Sequence, residues 1–112
     1  MLDESGDLTG HAGALNNLAV AEALAGRPGQ AIGLIERALA LRATPSIGWQ
    51  YMLLASLRER SGEIAAALAA VAAARGSFEQ IGEGRGLAAA ADLRRQLGAG
   101  ERSAKRMQSP RP

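Results

Sequence analysis

Small and apolar side chains recur along the chain three, four and seven positions apart, which is the spacing of one face of an α-helix. Between positions 28 and 41 they fall at Ala31, Ile35 and Ala38, and glycine or proline interrupts the pattern on either side. The same spacing returns in four other stretches. The sequence therefore predicts five helices, at 9–25, 28–41, 45–60, 63–81 and from a turn at 82–86 to position 97.

Glycine and proline mark the predicted helix ends. Gly26, Gly62 and Gly98 each follow a helical stretch, where a residue in the left-handed conformation commonly ends a helix. Pro28 and Pro45 stand where the next helices begin, because the first helical turn needs no N–H donor from them. Short turns are therefore predicted between successive helices.

The glycine-rich stretch GRPGQAIGLI, 26–35, raises the alternative of a phosphate loop. Such a loop needs two glycines five positions apart, followed by lysine and then serine or threonine. Gly26, Gly29 and Gly33 have other spacings, and a predicted helix rather than a strand precedes them. GEGRGL, 82–87, begins like a dinucleotide fingerprint but has Leu87 in place of the third glycine. We interpret both stretches as turns between helices.

A shift of 36 residues aligns the chain with itself. Under this shift alanine aligns with alanine, and larger apolar residues align with other apolar residues. This is expected for stacked pairs of helices that each contact only their neighbours. The shift joins Gly26 with Gly62 and Gly98, Ala19 with Ala55 and Ala91, Ala31 with Ala67, Ile35 with Val71, and Ala38 with Ala74.

The repeated residues resemble the tetratricopeptide repeat, whose pattern is W-x2-L-G-x2-Y, then A-x3-F, then a proline. The first repeat has Leu15, Leu18, Ala19, Ala31, Ile35, Ala38 and Pro45, the second has Tyr51, Leu54, Ala55, Ala67, Val71 and Ala74, and a third begins with Leu87, Ala90 and Ala91.

Two departures accompany this resemblance. Glu22, Arg58 and Arg94 stand where the family has tyrosine, and the period is 36 residues rather than about 34. The resemblance implies an all-α fold, a right-handed superhelical array of antiparallel helix pairs with about two and a half repeats. We expect this array at 9–98, after a flexible N-terminus at 1–8. The tail, 99–112, lacks apolar periodicity and is predicted to be basic and disordered.

Composition narrows the chemistry. The chain has no cysteine and one histidine, His11, so it offers no cluster of thiolates and imidazoles for a metal. We recognise no pair of nucleophile and base and no cofactor loop. The sequence therefore predicts a protein that is not an enzyme and holds neither a cofactor nor a metal.

The location is predicted from the absence of targeting signals. The N-terminus, MLDESGDLTG, is acidic and polar, unlike a secretory signal. The longest apolar run, 64–74, is shorter than the roughly 20 residues that span a bilayer. We therefore expect a cytoplasmic protein without membrane contact. The basic residues Arg94, Arg95, Arg102, Lys105 and Arg106 are interpreted as a solvated helix end and tail rather than a nucleic-acid surface.

The resemblance to tetratricopeptide arrays implies a binding groove, because the first helix of each pair lines a concave surface in that family. The expected partner is a protein or peptide. Trp49 is interpreted either as the anchor for that peptide or as a cover over the seam between repeats. Carried over by position, the groove residues are Asn16, Asn17, Val20, Trp49, Met52, Leu53, Ser56, Arg85, Asp92 and Arg95.

Two alternatives stay open. The apolar stretch LAAAADL, 87–93, on the last helix could pair with a second copy in a homodimer, because terminal repeats need polar caps. The stretches NNLAVAEALAGRPGQAIGLIERALAL and SFEQIGEGRGLAAAADLRRQLGAGERSAKR also resemble the helical repeat region of large bacterial LuxR-type regulators and signalling ATPases. That resemblance implies a role in transcriptional regulation.

Overall fold

The computed structural model describes the backbone of residues 4–41 and 47–108, and the side chains of residues 10–41 and 47–99. Within these residues the chain forms helices and turns and contains no strand. This confirms the all-α fold class with five helices. They are α1 (Glu4–Leu24), α2 (Pro28–Leu41), α3 (Gly48–Arg60), α4 (Ile64–Ile81) and α5 (Gly84–Gln108).

Three glycines end α1, α3 and α4 in the same way. Gly26, Gly62 and Gly82 have positive φ values of 81°, 78° and 66°, which residues with a side chain adopt only with strain. At the end of α3, the Gly62 N–H donates to the Glu59 carbonyl at 2.9 Å and the Glu63 N–H donates to the Arg58 carbonyl at 2.8 Å. This is the Schellman arrangement, which satisfies carbonyls at a helix end. The predicted turns at 26 and 62 are confirmed.

Helix ends differ from the prediction by more than one residue in α1 and α5. α1 begins at Glu4 rather than at position 9. Carboxylates near the N-terminus of a helix stabilise it through the helix dipole, so the acidic N-terminal residues favour the longer α1. α5 begins at Gly84, so residues 84–86, predicted as part of a turn, are helical. α5 continues to Gln108, so the prediction that it ends at Gly98 is wrong.

The extension of α5 has a local cause. Gly98 keeps a helical backbone, and a helical glycine costs only about 0.5–1 kcal/mol relative to alanine. Ala99, Glu101 and Ala104 follow it and are good helix formers. The segment from 99 to 108, predicted to be disordered, is therefore helical. Positions 109–112 and the predicted helix start at Pro45 lie outside the described residues.

Two buried clusters hold the helices together. The N-terminal core contains Ala19, Ala31, Ile32, Ile35 and Leu57, and so joins α1, α2 and α3. The C-terminal core joins α3, α4 and α5 and contains Ala55, Ala67, Ala70, Val71, Ala74, Phe78, Ala90 and Leu97. Half-buried Leu54 of α3 packs against both clusters, so α3 connects the N-terminal core to the C-terminal core.

Burial follows the 36-residue period of the sequence. Ala19 and Ala55 are both fully buried, and so are Ala31 and Ala67. Alanine at these positions leaves no long side chain between the helices, so they approach closely. Equivalent alanines of the first two helix pairs are therefore buried alike.

Within the described residues, no helix combines the length and the apolar character needed to cross a membrane. The cytoplasmic location stays a prediction.

Candidate functional site

The residues predicted to form the groove lie on α1, α3 and α5, and we call them the odd-helix stripe. All of them except Arg95 have an equivalent in the stripe under the 36-residue shift. The repeat places Asn16 on Met52, and Val20 on Ser56 and Asp92. The stripe consists of Asn16, Asn17 and Val20 on α1, Trp49, Met52, Leu53 and Ser56 on α3, and Arg85, Asp92 and Arg95 on α5.

The stripe is a mixed surface. Asn17, Val20, Arg85, Asp92 and Arg95 are exposed. By contrast, the half-buried side chains of α3 contribute to the protein's own packing, since Met52 packs against the C-terminal core and Leu53 against the N-terminal core. The structure therefore gives those two residues a stabilising role that the sequence had not indicated.

Polar contacts bring together only part of the stripe. Asp92 forms an ion pair with Arg95 on the same helix, and the backbone N–H of Arg85 donates to the Glu83 carboxylate at 3.0 Å. α3 and α5 also contact each other directly. Among the described residues, no hydrogen bond or ion pair joins Asn16, Asn17 or Val20 to the members on α3 and α5. A single groove formed by all three helices stays a prediction.

Trp49 is the largest exposed side chain of the stripe. It keeps 44% of its surface exposed, although it lies directly after the first residue of α3. Its ring meets the ring of Phe78 edge-to-face, with 5.0 Å between the centroids and an angle of 64°. Such a pair fixes the orientation of the indole while leaving its outer face accessible. Trp49 thus packs on Phe78 of α4 and keeps part of its aromatic surface exposed.

Phe78 joins three helices beneath Trp49. Its ring is fully buried on α4 and lies against Gly48 at the start of α3 and Gly86 near the start of α5. A Cβ atom at either glycine would come closer than 3.0 Å to the ring. Glycine is therefore needed at both positions for the close approach of α3 and α5 to α4.

Ion pairs across the helix turns recur with the repeat, but with opposite polarity. Glu22 pairs with Arg27 at 2.5 Å, and at the equivalent positions Arg58 pairs with Glu63 at 2.8 Å. The hydrogen bond from Arg27 lowers the pKa of the Glu22 carboxyl, and the same contact raises the pKa of Arg27. Arg58 also reaches Glu36 of α2 at 3.4 Å. Each helix pair thus carries an ion pair at its turn.

A broad groove of about 1050 Å³ lies between α4 and α5, and we call it the end groove. Its floor is formed by small and aliphatic side chains, namely Leu68, Val71, Ala72, Leu87, Ala90 and Ala91. Its rim is mainly cationic and carries Arg75, Arg94, Arg95 and Glu79.

The sequence predicted an apolar flank on the last helix but not this groove. Ala91 matches Ala19 and Ala55 in the repeat, and those two residues are fully buried whereas Ala91 is exposed. The signal that could have revealed the groove is therefore the third repeat itself, which supplies α5 without a following helix among the described residues.

The first helix, α1, also exposes apolar surface. Leu18 is 52% exposed, whereas Leu54 and Ala90 at the equivalent positions are half-buried and buried. Leu18 and Leu34 line a shallower depression of about 480 Å³ between α1 and α2. Apolar residues are thus exposed on both α1 and α5.

Groups suited to catalysis or metal binding are sparse in the part of the chain that the structure describes. His11 is exposed. No group of three or more histidine, cysteine, aspartate or glutamate side chains converges among these residues in a way that could hold a metal ion. The notable surfaces are instead the odd-helix stripe and the end groove.

Comparison of the sequence and the structure with protein families, curated proteins and solved structures finds no match.

Proposed function

We propose that this chain is a non-enzymatic protein–protein interaction module. Its helix pairs would form a right-handed superhelical array of the tetratricopeptide type, with the odd-helix stripe lining a concave groove. The radius of gyration, 15.8 Å, supports an extended stack, because a compact domain of this length has a value of about 13 Å. The burial of Ala19 and Ala55, and of Ala31 and Ala67, in pairs 36 residues apart supports the repeat.

The observation that carries the proposal is the exposed and oriented ring of Trp49. Tryptophan is enriched among the residues that dominate binding energy at protein interfaces. Here the chain has one tryptophan, and its ring is held by Phe78 with 44% of the residue exposed. Exposed Val20 is the apolar side chain at the corresponding face of α1. The partner would be an extended or helical peptide that places an apolar side chain against the indole.

Peptides selected from a displayed random library against the immobilised protein provide the test. Their affinity for the wild-type chain and for Trp49→Ala can be measured by fluorescence anisotropy. Loss of a central aromatic anchor removes about 2 kcal/mol or more of binding free energy, so affinity is expected to fall at least about 30-fold. The far-ultraviolet circular dichroism and Tm of the variant show whether the fold persists.

Ile81→Ala is the matched control, because Ile81 at the end of α4 is also 44% exposed and apolar. It should leave the selected peptides bound as in the wild-type protein. Equal losses for both variants, or unchanged binding for Trp49→Ala in a folded chain, would contradict a groove centred on Trp49.

Self-association is a second candidate, favoured by the exposed apolar residues of α1. Leu18, Val20 and Leu24 are 52%, 40% and 82% exposed, so one terminal helix carries much of the apolar surface in contact with water. Sedimentation velocity at several concentrations should then show a homodimer that Leu18→Glu dissociates. A strict monomer at all concentrations would remove this candidate. The LuxR-type regulator stays a prediction from sequence resemblance.

A further inference from the structure

The end groove corresponds, by the repeat, to a surface that is already covered elsewhere in the molecule. On α3, fully buried Ala55 belongs to the same cluster as Ala67 and Val71 of α4, and Tyr51 packs against that cluster. The 36-residue shift carries Tyr51 to Leu87 and Ala55 to Ala91 on α5. Leu87 and Ala91 line the end groove, where Ala91 is exposed. The end groove therefore has the apolar surface that receives α4 on α3, but without a covering helix among the described residues.

Charge distinguishes the open surface from the covered one. Arg58 of α3 has two carboxylate partners, Glu63 at 2.8 Å and Glu36 at 3.4 Å. Arg94 is the equivalent of Arg58, and Ala72 and Ala99 occupy the positions equivalent to those two carboxylates. Within the described residues Arg94 forms no ion pair, and it lies on the rim of the groove.

The other rim arginines are already neutralised by neighbours. Arg75 pairs with Glu79 at 3.0 Å, and Arg95 pairs with Asp92. Arg94 is thus the rim cation whose charge an incoming carboxylate would complement.

We propose that the end groove docks a separate amphipathic helix with an alanine-rich face and a carboxylate at its N-terminus. This helix would lie on α5 as α4 lies on α3, with small residues against Leu87 and Ala91 and its carboxylate against Arg94. In the chain itself the carboxylate belongs to Glu63, the residue just before α4, and it precedes the first core alanine, Ala67, by four positions. We expect the docked helix to have the same spacing, with a carboxylate four positions before its first buried alanine.

This site is distinct from the proposed peptide groove, although Arg95 belongs to both surfaces and is therefore left unchanged in the tests. The end groove is formed by α4 and α5, whereas the peptide groove is centred on Trp49 of α3. Loss of binding at one surface is therefore distinguishable from loss at the other.

The probe for the test is a synthetic peptide with the sequence of residues 62–81, acetylated, amidated and labelled with fluorescein. This segment is the helix that covers the equivalent surface on α3 within the same chain. Fluorescence anisotropy with the full chain should give saturable binding with one site. Absence of saturable binding up to about 1 mM would overturn the proposal, because such affinity falls below that of a specific docking site.

A charge exchange tests the register of the docked helix. A peptide with Glu63→Arg would place a cation against Arg94, and we expect its affinity to be about fivefold lower. A glutamate near a helix N-terminus also favours the helix on its own, so this loss alone is ambiguous. Arg94→Glu in the protein should restore binding of the Glu63→Arg peptide, because the first repeat uses that polarity in its Glu22–Arg27 pair. Failure of this rescue would contradict the proposed register.

Two alanines on α5 locate the docked helix. Ala91→Gln places a long polar side chain on the floor of the groove and should abolish binding of the unmodified peptide. Ala88→Gln makes the same change at an exposed position of α5 that does not line the groove, and binding should persist. If Ala91→Gln still binds the peptide, then the peptide enters elsewhere, for example by displacing α4, and the proposal is wrong.

Discussion

α3 and α5 occupy equivalent places in the repeat, yet one is enclosed and the other is open on the same side. Ala55 is fully buried in a cluster that it shares with residues of α4, whereas Ala91 is exposed in the end groove. Arg58 has two carboxylate partners, and Arg94 has none among the described residues. The difference lies in the neighbouring helix and not in the residue, since alanine and arginine are the same at both places. Burial in this fold is therefore a property of the pair of helices.

Phe78 connects the enclosed region to the open one, and its removal should have the largest effect. Phe78→Ala leaves a cavity between Gly48, Gly86 and the core, and loss of a buried phenylalanine costs about 3–5 kcal/mol. Urea unfolding followed by circular dichroism measures this loss. We also expect the substitution to increase the exchange rates of amide hydrogens more in α5 than in α2, because α2 lies outside the C-terminal core. A loss below about 1 kcal/mol would show that Phe78 does not join the helices.

The two equivalent alanines provide the second test. Ala55→Leu forces a larger side chain into the packed α3–α4 contact and should destabilise the chain by about 1–3 kcal/mol. Ala91→Leu adds the same atoms at an exposed position and should change the free energy of unfolding by no more than about 0.5 kcal/mol. Thermal melts measure both, since 1 kcal/mol corresponds to roughly 4–8 °C in Tm for a domain of this size. Equal changes in Tm for the two variants would contradict the difference in packing between α3 and α5.

Two glycines at equivalent positions should respond with opposite signs. Gly62 has a φ of 78°, so Gly62→Ala should cost about 1–2 kcal/mol from left-handed strain. Gly98 lies inside α5 with a helical backbone, so Gly98→Ala should stabilise the chain by up to about 1 kcal/mol. Urea unfolding compares the two variants. Destabilisation by both would indicate that α5 ends near Gly98 after all.

The smallest expected effect concerns pH. The folded pKa of Glu22 is lowered by its hydrogen bond from Arg27, so the carboxylate contributes stability above its unfolded pKa, about 4.3. That contribution is lost as pH falls through the lowered folded value. The difference in Tm between the wild type and Glu22→Gln should therefore be constant near neutral pH and shrink below about pH 4. A difference that does not depend on pH would exclude an ionic contribution from this pair.

Much of the fold could be predicted from local signals. The bounds of α2 match the prediction because Pro28 and the four-residue spacing of Ala31 and Ile35 are local features of the sequence. The turns at Gly26 and Gly62 were likewise predictable from glycine after a helical stretch. The end of α5 was not, because glycine permits a left-handed turn without requiring it, and good helix formers follow Gly98.

The candidate surfaces were less predictable, because they depend on contacts between distant parts of the chain. Phe78 meets Gly48 and Gly86, and no local pattern announces a contact that joins three helices. The exposure of Ala91 was equally hidden, since the sequence contains the same residue at the buried positions 19 and 55. The sequence located Trp49 on the odd-helix stripe, but its contact with Phe78 became visible only in the folded chain.

Thiol reactivity tests the contrast between α3 and α5 most directly, because the chain has no cysteine of its own. The variants Ala55→Cys and Ala91→Cys each introduce one thiol, and the rate of its reaction with a disulfide reagent under native conditions reports its accessibility. We expect the thiol of Ala91→Cys to react at nearly the rate measured in denaturant. The thiol of Ala55→Cys should react at least about a hundredfold more slowly, because its exposure requires opening of a buried cluster. Equal native rates for the two thiols would contradict the account of an enclosed α3 and an open α5.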